Sequence, residues 1–409
     1  MKFRFTLPAA LFLITGIFFT SCNAQPADDH DPVLLISIDG LMNKYIDRND
    51  TPNFDRLIEG GTKAEYLEPV FQTKTFPTHH SMSTGLYAEN HGIIANGFYA
   101  LDLEERFSYG PPEGQNDERW WGGEPIWITA ENQGLTSTTF FWPGSEAEYD
   151  GVRPTRWMDY DGSVDDRVRV DSVANWIDPE GDVATDFSTL YFSDVDSYGH
   201  SHGPDSPEVD DAVTEVDATL GYLIEQLEEI GIWPDINIII VSDHGMAQLS
   251  EEKLIFLEDK IDLDRVEMID WSPVAMIHPD EDYKEEAYES LKEHEEHYQV
   301  YYREDMPDRF RFRDHPRIPE IIMIADVPYT IVSTHQRFEN RGIPEGMHGY
   351  DHEAPEMRAF LLTHGPAFNQ GQRGDVVSMV DLYPLMADIL GLEPAENDGS
   401  LEAIRGYRR

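Results

Sequence analysis

Short, almost uninterrupted apolar runs recur along the chain, and polar residues capable of chemistry follow several of them. The clearest runs are 33–36, 189–192 and 236–241, and a fourth lies near the C-terminus at 360–362. Runs of this length and composition are typical of interior strands of a parallel sheet, where both faces are covered. The pattern therefore predicts a mostly parallel sheet flanked by helices.

Helical periodicity appears between these runs. The clearest case begins at Ser206-Pro207 and ends at Gly231, with apolar residues recurring every three or four positions between them. Other predicted helices cover 51–60, 76–84 and 381–390. Because strands and helices alternate, the chain is predicted to form a doubly wound α/β domain.

Residues 250–345 depart from this alternation. They combine dense charge with predicted strands around 298–302 and 321–325, which indicates an inserted, smaller α+β subdomain. A stretch rich in Gly, Pro and Trp, 108–127, predicts a long ordered loop. We therefore assign the domains as follows: a core of 31–249 and 346–402, an insertion of 250–345, and a tail of 403–409.

The N-terminus has the pattern of a targeting segment. Lys2 and Arg4 precede an apolar stretch, 7–20, that ends at Cys22, the only cysteine of the chain. This predicts a bacterial lipoprotein signal over 1–21, a lipid anchor on Cys22 and a tether over 22–30, with ordinary cleavage nearby as the alternative. The expected location is the periplasm, the outer membrane or the cell surface.

Composition and charge restrict the partners. A hydrophobic content of 40% argues against general disorder. Acidic residues number 79 against 30 basic ones, a formal net charge of −49. Such a surface repels nucleic-acid polymers, so we expect no recognition of them. A small anionic substrate remains compatible with this charge, because bound divalent metals reverse the local field.

Metal-ligating residues follow three of the predicted strands. The carboxyl ends of parallel strands are where open α/β sheets bind ligands. Zinc accepts imidazole and carboxylate ligands, and two metals about 3.5–4 Å apart can stabilise both oxygens of a phosphoryl transfer. Manganese or another divalent ion stays open. The candidate ligands divide into two sets: Asp39, Asp243 and His244, and Asp196, His200 and His348.

A candidate nucleophile lies at the start of a predicted helix. Thr75 follows Lys74 and precedes Phe76-Pro77, at a position where free backbone N–H groups favour anions. A threonine hydroxyl becomes a useful nucleophile when a metal promotes loss of its proton. The alternative is that Thr75 only caps the helix.

Five motifs stand in a fixed order along the chain: 73–80, 91–93 with Asn96, 120–127, 141–145 and 242–246. Together they resemble one enzyme family, the nucleotide pyrophosphatase/phosphodiesterases of the alkaline phosphatase superfamily. The resemblance extends from about residue 31 to about residue 392 and implies an alkaline-phosphatase-like core.

The resemblance implies roles for particular residues. It implies two zinc ions held by the six ligands, with Thr75 as nucleophile and as a further ligand at the Asp39 site. Asn96 matches the residue that donates to a phosphoryl oxygen, while Phe76 and Tyr160 match aromatic rings that stack on a base. The implied reaction passes through a covalent nucleotidyl-threonine and releases a nucleoside 5′-monophosphate.

Each of these roles has a simpler alternative. Asn96 could form a turn before Gly97, and Phe76 and Tyr160 could be packing residues. Lys74 is a nearby cation that could contact the substrate or be solvated. One motif departs from the family, since Ser193-Asp194-Val195 stands where Glu-Pro commonly precedes the ligand; we assign Asp196 because it lies four residues before His200.

Other activities stay open at this point. A phosphomonoesterase would use the same metals, and a lysophospholipid or phosphocholine phosphodiesterase belongs to the same superfamily. A sulfatase is disfavoured, because residues 75–79 do not supply a Cys/Ser-x-Pro-x-Arg context. A non-catalytic binding lipoprotein is the alternative outside enzymes.

Overall fold

The computed structural model describes residues 30–108, 115–270 and 272–409. The predicted signal segment, Cys22 and all but the last residue of the predicted tether lie outside these residues. Within the described ranges, no helix combines the length and the apolar composition needed to cross a membrane.

The strands and helices of the described residues are numbered here in chain order. The strands are β1 (Val33–Ile38), β2 (Gly61–Ala64), β3 (Leu67–Glu68), β4 (Gly97–Ala100), β5 (Glu105–Ser108), β6 (Ser137–Phe140), β7 (Arg156–Met158), β8 (Phe187–Phe192), β9 (Asn237–Val241), β10 (Ala247–Gln248), β11 (Leu254–Phe256), β12 (Val266–Asp270), β13 (Val274–Pro279), β14 (Tyr298–Tyr302), β15 (Ile321–Ala325), β16 (Thr330–Val332), β17 (Gly346–Met347), β18 (Leu361–His364), β19 (Gln372–Gly374) and β20 (Val377–Ser378). The helices are α1 (Asn43–Arg48), α2 (Pro52–Glu59), α3 (Thr75–Thr84), α4 (Ala88–His91), α5 (Ile126–Asn132), α6 (Asp166–Ile177), α7 (Asp194–His202), α8 (Pro207–Glu229), α9 (Lys284–Glu293), α10 (His335–Arg341), α11 (Leu382–Ile389) and α12 (Leu401–Ile404).

The main sheet confirms the predicted fold class. Over the described residues its order is β19-β2-β18-β9-β1-β8-β6-β7. The central strand β1 pairs in parallel with both β8 and β9. The strand near the C-terminus, β18, runs antiparallel to its two neighbours, so the sheet is mostly rather than wholly parallel.

Helices cover both faces of this sheet, which explains the continuous apolar runs. In β1, Leu34 and Ile36 belong to one buried cluster and Val33 and Leu35 to the cluster on the opposite face. The long helix α8 contributes its apolar stripe to the first of these clusters. A strand buried on both faces has no polar side to alternate with, so its sequence shows no period of two.

The segment predicted as an insertion has a sheet of its own, and one face of that sheet packs into the main core, since Met276 and Ile322 belong to the same buried cluster as Leu35. Its antiparallel sheet has the order β12-β13-β15-β14. Ala287 and Leu291 of α9 join Tyr298 and Val300 of β14 in a third buried cluster. The strands that bracket the segment, β10 and β17, pair with each other, so the chain leaves and returns at adjacent points.

Two predicted irregular segments differ from the structure. The predicted loop 108–127 contains the end of β5 and the start of α5, whose Ile126 and Trp127 are fully buried. The predicted tail 403–409 packs on the core, because Tyr407 is buried and the Arg409 N–H donates to the Ala367 carbonyl at 3.0 Å. Apolar side chains in both segments find partners in the core that local sequence does not reveal.

Candidate active site

The three neighbouring strands β9, β1 and β8 bring the predicted acidic residues to one edge of the sheet. Asp39 follows β1, Asp243 lies beyond the end of β9, and Asp196 is in the first turn of α7, after β8. Gly40 permits this convergence: its φ is +70°, and a Cβ there would lie 3.1 Å from the Asp196 Cα. The Gly40 N–H also donates to Asp243 Oδ1 at 3.0 Å.

The first predicted metal set is assembled and fully buried. His244 Nε2 lies 3.0 Å from Asp243 Oδ2 and 3.5 Å from Asp39 Oδ1. These three atoms are buried and have no hydrogen-bond partner among the described residues. Buried polar atoms normally have hydrogen-bond partners. A metal ion bound by these three atoms would supply the partner that each of them lacks.

The second predicted set is assembled at the cavity and is less deeply buried. Asp196 and His200 are one helical turn apart on α7, and His348 approaches from the segment after β17. Asp196 Oδ1 lies 3.5 Å from His200 Nε2 and 3.7 Å from His348 Nε2. This oxygen too is buried without a hydrogen-bond partner among the described residues.

Backbone carbonyl groups orient all three histidine rings. A carbonyl oxygen can only accept, so each contacting Nδ1 carries a hydrogen and each Nε2 is left to bind a metal. The residues and donor types therefore fit zinc at both sets. The three bonds are His200 Nδ1 to Gly346 O at 2.8 Å, His348 Nδ1 to Thr73 O at 2.9 Å and His244 Nδ1 to Gly245 O at 2.9 Å.

The converging carboxylates also carry an electrostatic signature. Burial, followed by the charges of Asp243 and Asp196, raises the pKa of Asp39 well above its ordinary value. Burial opposes ionisation of Asp243, yet His244, His79 and the Gly40 N–H together outweigh it and lower the pKa of that carboxyl. Carboxylates held this close repel one another when they are ionised, and a bound cation would offset that repulsion.

Thr75 and Asn96 lie together at the same end of the cavity. Thr75 is the first residue of α3, and both side chains line the cavity beside Asp39 and His348. The Phe76 N–H donates to Asn96 Oδ1 at 2.9 Å, which fixes the orientation of the amide. The amide nitrogen of Asn96 is then the group that could donate to a bound ligand.

Phe76 and Tyr160 also line this cavity, whose volume is about 380 Å³. Phe76 is half-buried and packs on Trp121, with ring centroids 6.2 Å apart, whereas Tyr160 is 49% exposed. Lys74 is different, since it is buried beside Gly349 and does not line the cavity. Lining residues are Asp39, Thr75, Phe76, Asn96, Gln115, Phe141, Trp142, Pro143, Glu146, Tyr160, Tyr191, Ser193, Asp196, Ser197, His200 and His348.

Sequence reasoning missed two ionisable residues of the cavity. Tyr191 donates from its hydroxyl to Asp39 Oδ2 at 2.6 Å, so it orients a predicted ligand. Glu146 is buried, its Oε2 has no hydrogen-bond partner among the described residues, and burial raises its pKa to about 7. Two features of the sequence could have indicated them: Tyr191 lies inside an apolar run, and Glu146 directly follows the motif 141–145.

Comparisons with known proteins agree with this geometry. The family described as type I phosphodiesterase / nucleotide pyrophosphatase matches residues 33–351. Human bis(5′-adenosyl)-triphosphatase is 37% identical over 391 residues, which cover 95% of this chain and 83% of the relative. Human ectonucleotide pyrophosphatase/phosphodiesterase family member 5 is 36% identical over 381 residues, covering 93% of this chain and 78% of the relative.

Solved structures of the murine family member 5 are also similar. One superposes with a TM-score of 0.88 at 33% identity and covers 92% of this chain and 100% of its own. Another is an inactive threonine-to-alanine variant in complex with AMP, with a TM-score of 0.89, 33% identity and coverage of 93% and 100%.

Proposed function

This chain belongs to the type I phosphodiesterase / nucleotide pyrophosphatase family, and we propose that it hydrolyses phosphodiester or phosphoanhydride bonds of nucleotides, releasing nucleoside 5′-monophosphates. One observation carries the proposal: two sets of candidate metal ligands meet at one cavity, the first through Asp39, and the same cavity is lined by a threonine and two aromatic rings. The AMP complex of a relative and the activity in the name of another support a nucleotide as substrate.

The six converging ligands would hold two zinc ions, one at each three-residue set. When bound, the metals supply positive charge that favours loss of the Thr75 proton and stabilises the departing oxygen. The orphaned ligand atoms and the fixed histidine tautomers support this assignment. Elemental analysis should find about two metal ions per chain and identify them.

In the proposed reaction, Thr75 Oγ1 attacks phosphorus opposite the leaving group. The Oγ1–P bond forms while the bond from phosphorus to the leaving oxygen breaks, and the hydroxyl proton reaches that oxygen through solvent. Water then attacks the same phosphorus, the Oγ1–P bond breaks, and a proton returns to Thr75. The inactive threonine-to-alanine variant of a relative supports a threonine nucleophile.

The remaining cavity residues would bind and orient the nucleotide. The Asn96 amide donates to a phosphoryl oxygen, while Phe76 and Tyr160 stack on the base. The position of Asn96 beside Thr75 and of the two rings along the same cavity supports these roles. We give Lys74 no direct contact with substrate, because it does not line the cavity.

Three ester classes distinguish the proposed activity from its alternatives. The zinc-loaded protein should cleave a chromogenic nucleotide phosphodiester at least about 100-fold faster, in kcat/KM, than a simple phosphomonoester or a phosphocholine ester. Product analysis should show the nucleoside 5′-monophosphate, and exhaustive chelation should remove the activity. Preference for the monoester or the phosphocholine ester would replace the proposal with the corresponding alternative.

We further propose that the protein is exported and carries a lipid on Cys22, and that residues 250–345 form an inserted subdomain. The first rests on the sequence of residues 1–22 alone; the relatives described above are animal proteins and lend no support to a bacterial lipoprotein. Mass spectrometry of the natural protein should find an acylated N-terminal Cys22. A free, unmodified Cys22 or an N-terminus elsewhere would rule the anchor out.

A further inference from the structure

A buried histidine that the proposed reaction does not use, His79, lies one helical turn after Thr75 in α3. Its Nδ1 donates to the Thr75 carbonyl oxygen at 2.7 Å. Because that oxygen can only accept, the neutral ring leaves Nε2 to accept from the Ser37 hydroxyl, 2.8 Å away. Ser37 is in β1, two residues before Asp39, so the ring links the helix of Thr75 to the strand that carries a metal ligand.

The surroundings hold this ring in a single place. His79 is fully buried, and its ring meets Trp142 and Tyr191 edge-on at centroid distances of 4.8 and 5.5 Å. Both aromatic residues line the cavity. The Trp142 indole N–H also donates to the His79 carbonyl at 3.2 Å. The imidazole is therefore held by two hydrogen bonds and by contacts with two aromatic rings.

The first turn of α3 carries the reacting hydroxyl on its N-terminal residue, Thr75. Side chains bind the backbone of this turn on both kinds of group. Asn96 Oδ1 accepts from the Phe76 N–H at 2.9 Å, Thr78 Oγ1 donates to Lys74 O at 2.7 Å, and His79 Nδ1 donates to Thr75 O. A displacement of the reacting group by about 1 Å can cost about 100-fold in rate.

We infer that His79 is a positioning residue, which fixes the Thr75 hydroxyl relative to β1 through the Thr75 carbonyl and Ser37. The inference rests on the proposed role of Thr75. It gives Nδ1 the larger effect, because Nδ1 contacts the nucleophile's own peptide group whereas Nε2 contacts only the strand. Loss of the Nδ1 bond should therefore lower kcat and leave substrate binding nearly unchanged.

Two amide substitutions separate the two nitrogens. In His79→Asn the side-chain amide reaches the position of Nδ1, and in His79→Gln it reaches that of Nε2. We expect His79→Asn, which keeps the bond to Thr75 and loses the link to Ser37, to lose about three- to tenfold in kcat and His79→Gln to lose about 10- to 100-fold, both with KM within about threefold. Zinc content and zinc affinity, measured by chelator competition, should match in the two variants.

Ser37→Ala gives a second test that leaves the imidazole in place. It removes the anchor of the ring, and we expect kcat to fall about three- to tenfold with unchanged zinc content. Equal kcat in His79→Asn and His79→Gln, or unchanged kcat in Ser37→Ala, would overturn the inference. So would a loss of zinc that parallels the loss of kcat, because His79 Nδ1 also lies 3.5 Å from Asp243 Oδ2.

Thr75→Ala in the same assay distinguishes the two possible failures. If Thr75→Ala retains turnover, the proposed threonine mechanism is wrong. If Thr75→Ala is inactive while His79→Gln behaves like the natural protein, only the role of His79 is wrong. Thermal unfolding of each variant shows whether a loss of turnover reflects a loss of folded protein.

Discussion

The two ends of the cavity are built in different ways. At the end where we propose that the phosphoryl group binds (the phosphoryl end), the groups come from the ends of central strands and from the first turns of α3 and α7, and Asp39 and Asp243 are 2% and 0% exposed. At the end where we propose that the base stacks (the nucleoside end), the groups are two aromatic rings, Phe76 of α3 and Tyr160 on a connecting segment, and Tyr160 is 49% exposed. The first end is held by hydrogen bonds, the second by ring packing.

This contrast indicates how each end responds to change. A side chain at the phosphoryl end has a position set by several neighbours, and its reacting atoms must meet phosphorus in one geometry. A ring at the nucleoside end contributes contact area that the substrate keeps from the ground state to the transition state. Substitutions at the first end should therefore lower kcat, and those at the second should raise KM.

The largest expected effect comes from the nucleophile. Thr75→Ala should lower kcat by at least about 10³-fold, because it removes the atom that bonds to phosphorus. Thr75→Ser is the matched control and should keep most of the turnover. Steady-state kinetics with a nucleotide diester checks this, and metal content should stay near two per chain in both variants. Substantial turnover by Thr75→Ala would contradict the covalent route.

Asn96 should give the next largest effect. Asn96→Ala removes the donor to the phosphoryl oxygen and should lower kcat by about 100-fold. Asn96→Asp keeps an oxygen that accepts from the Phe76 N–H but removes the donor, so it should lose at least as much. Single-turnover rates of the two variants test this. If Asn96→Asp stayed near the natural rate, Asn96 would serve only to hold the Phe76 backbone.

At the nucleoside end, Tyr160 should affect KM alone. Base stacking on an aromatic ring contributes about 1–3 kcal/mol, and an exposed ring should lie near the lower figure. Tyr160→Ala should raise KM for a nucleotide diester about tenfold and leave kcat within about threefold. Tyr160→Phe should restore the natural KM. An equal loss on bis(4-nitrophenyl) phosphate, which has no nucleobase, would show that Tyr160 acts on the phosphoryl end instead.

The phosphoryl end was also the more predictable from sequence. Asp39, Asp196 and Asp243 stand just after runs that read as interior strands, and the register of β1 with β8 and β9 brings those strand ends together. Helical spacing places Asp196 and His200 on one face of α7. Neither strand ends nor helical spacing predict the position of His348, because tertiary contacts after β17 place it.

The positions of side chains at the nucleoside end depend on tertiary contacts, which the local periodicity of the sequence does not predict. Glu146 is buried in the segment directly after the motif 141–145. At the phosphoryl end, the hydrogen bond from Tyr191 of β8 to Asp39 is likewise a tertiary contact. The surroundings of Lys74 are likewise not evident from the sequence: it precedes the candidate nucleophile, and its side chain packs against Gly349. The start of α5 inside the predicted loop follows from burial of Ile126 and Trp127 in the main core.

Glu146 should make the stability of the protein, rather than its turnover, depend on pH. Burial, and then the charge of Asp159, raises its pKa from an ordinary 4.5 to about 7. The folded state therefore binds this proton more tightly than the unfolded state. The resulting stabilisation is complete below about pH 4.5 and is lost as pH rises through about 7, with a slope of at most about 1.4 kcal/mol per pH unit.

Glu146→Gln should remove that slope, so that the variant gains stability relative to the natural protein as pH rises from 5 to 8. Denaturant unfolding of both proteins across this range measures the difference, and Glu180→Gln, at an exposed glutamate, is the matched control. A difference between Glu146→Gln and the natural protein that does not change with pH would mean that Glu146 is ionised throughout, and the nucleoside end would then hold a buried negative charge.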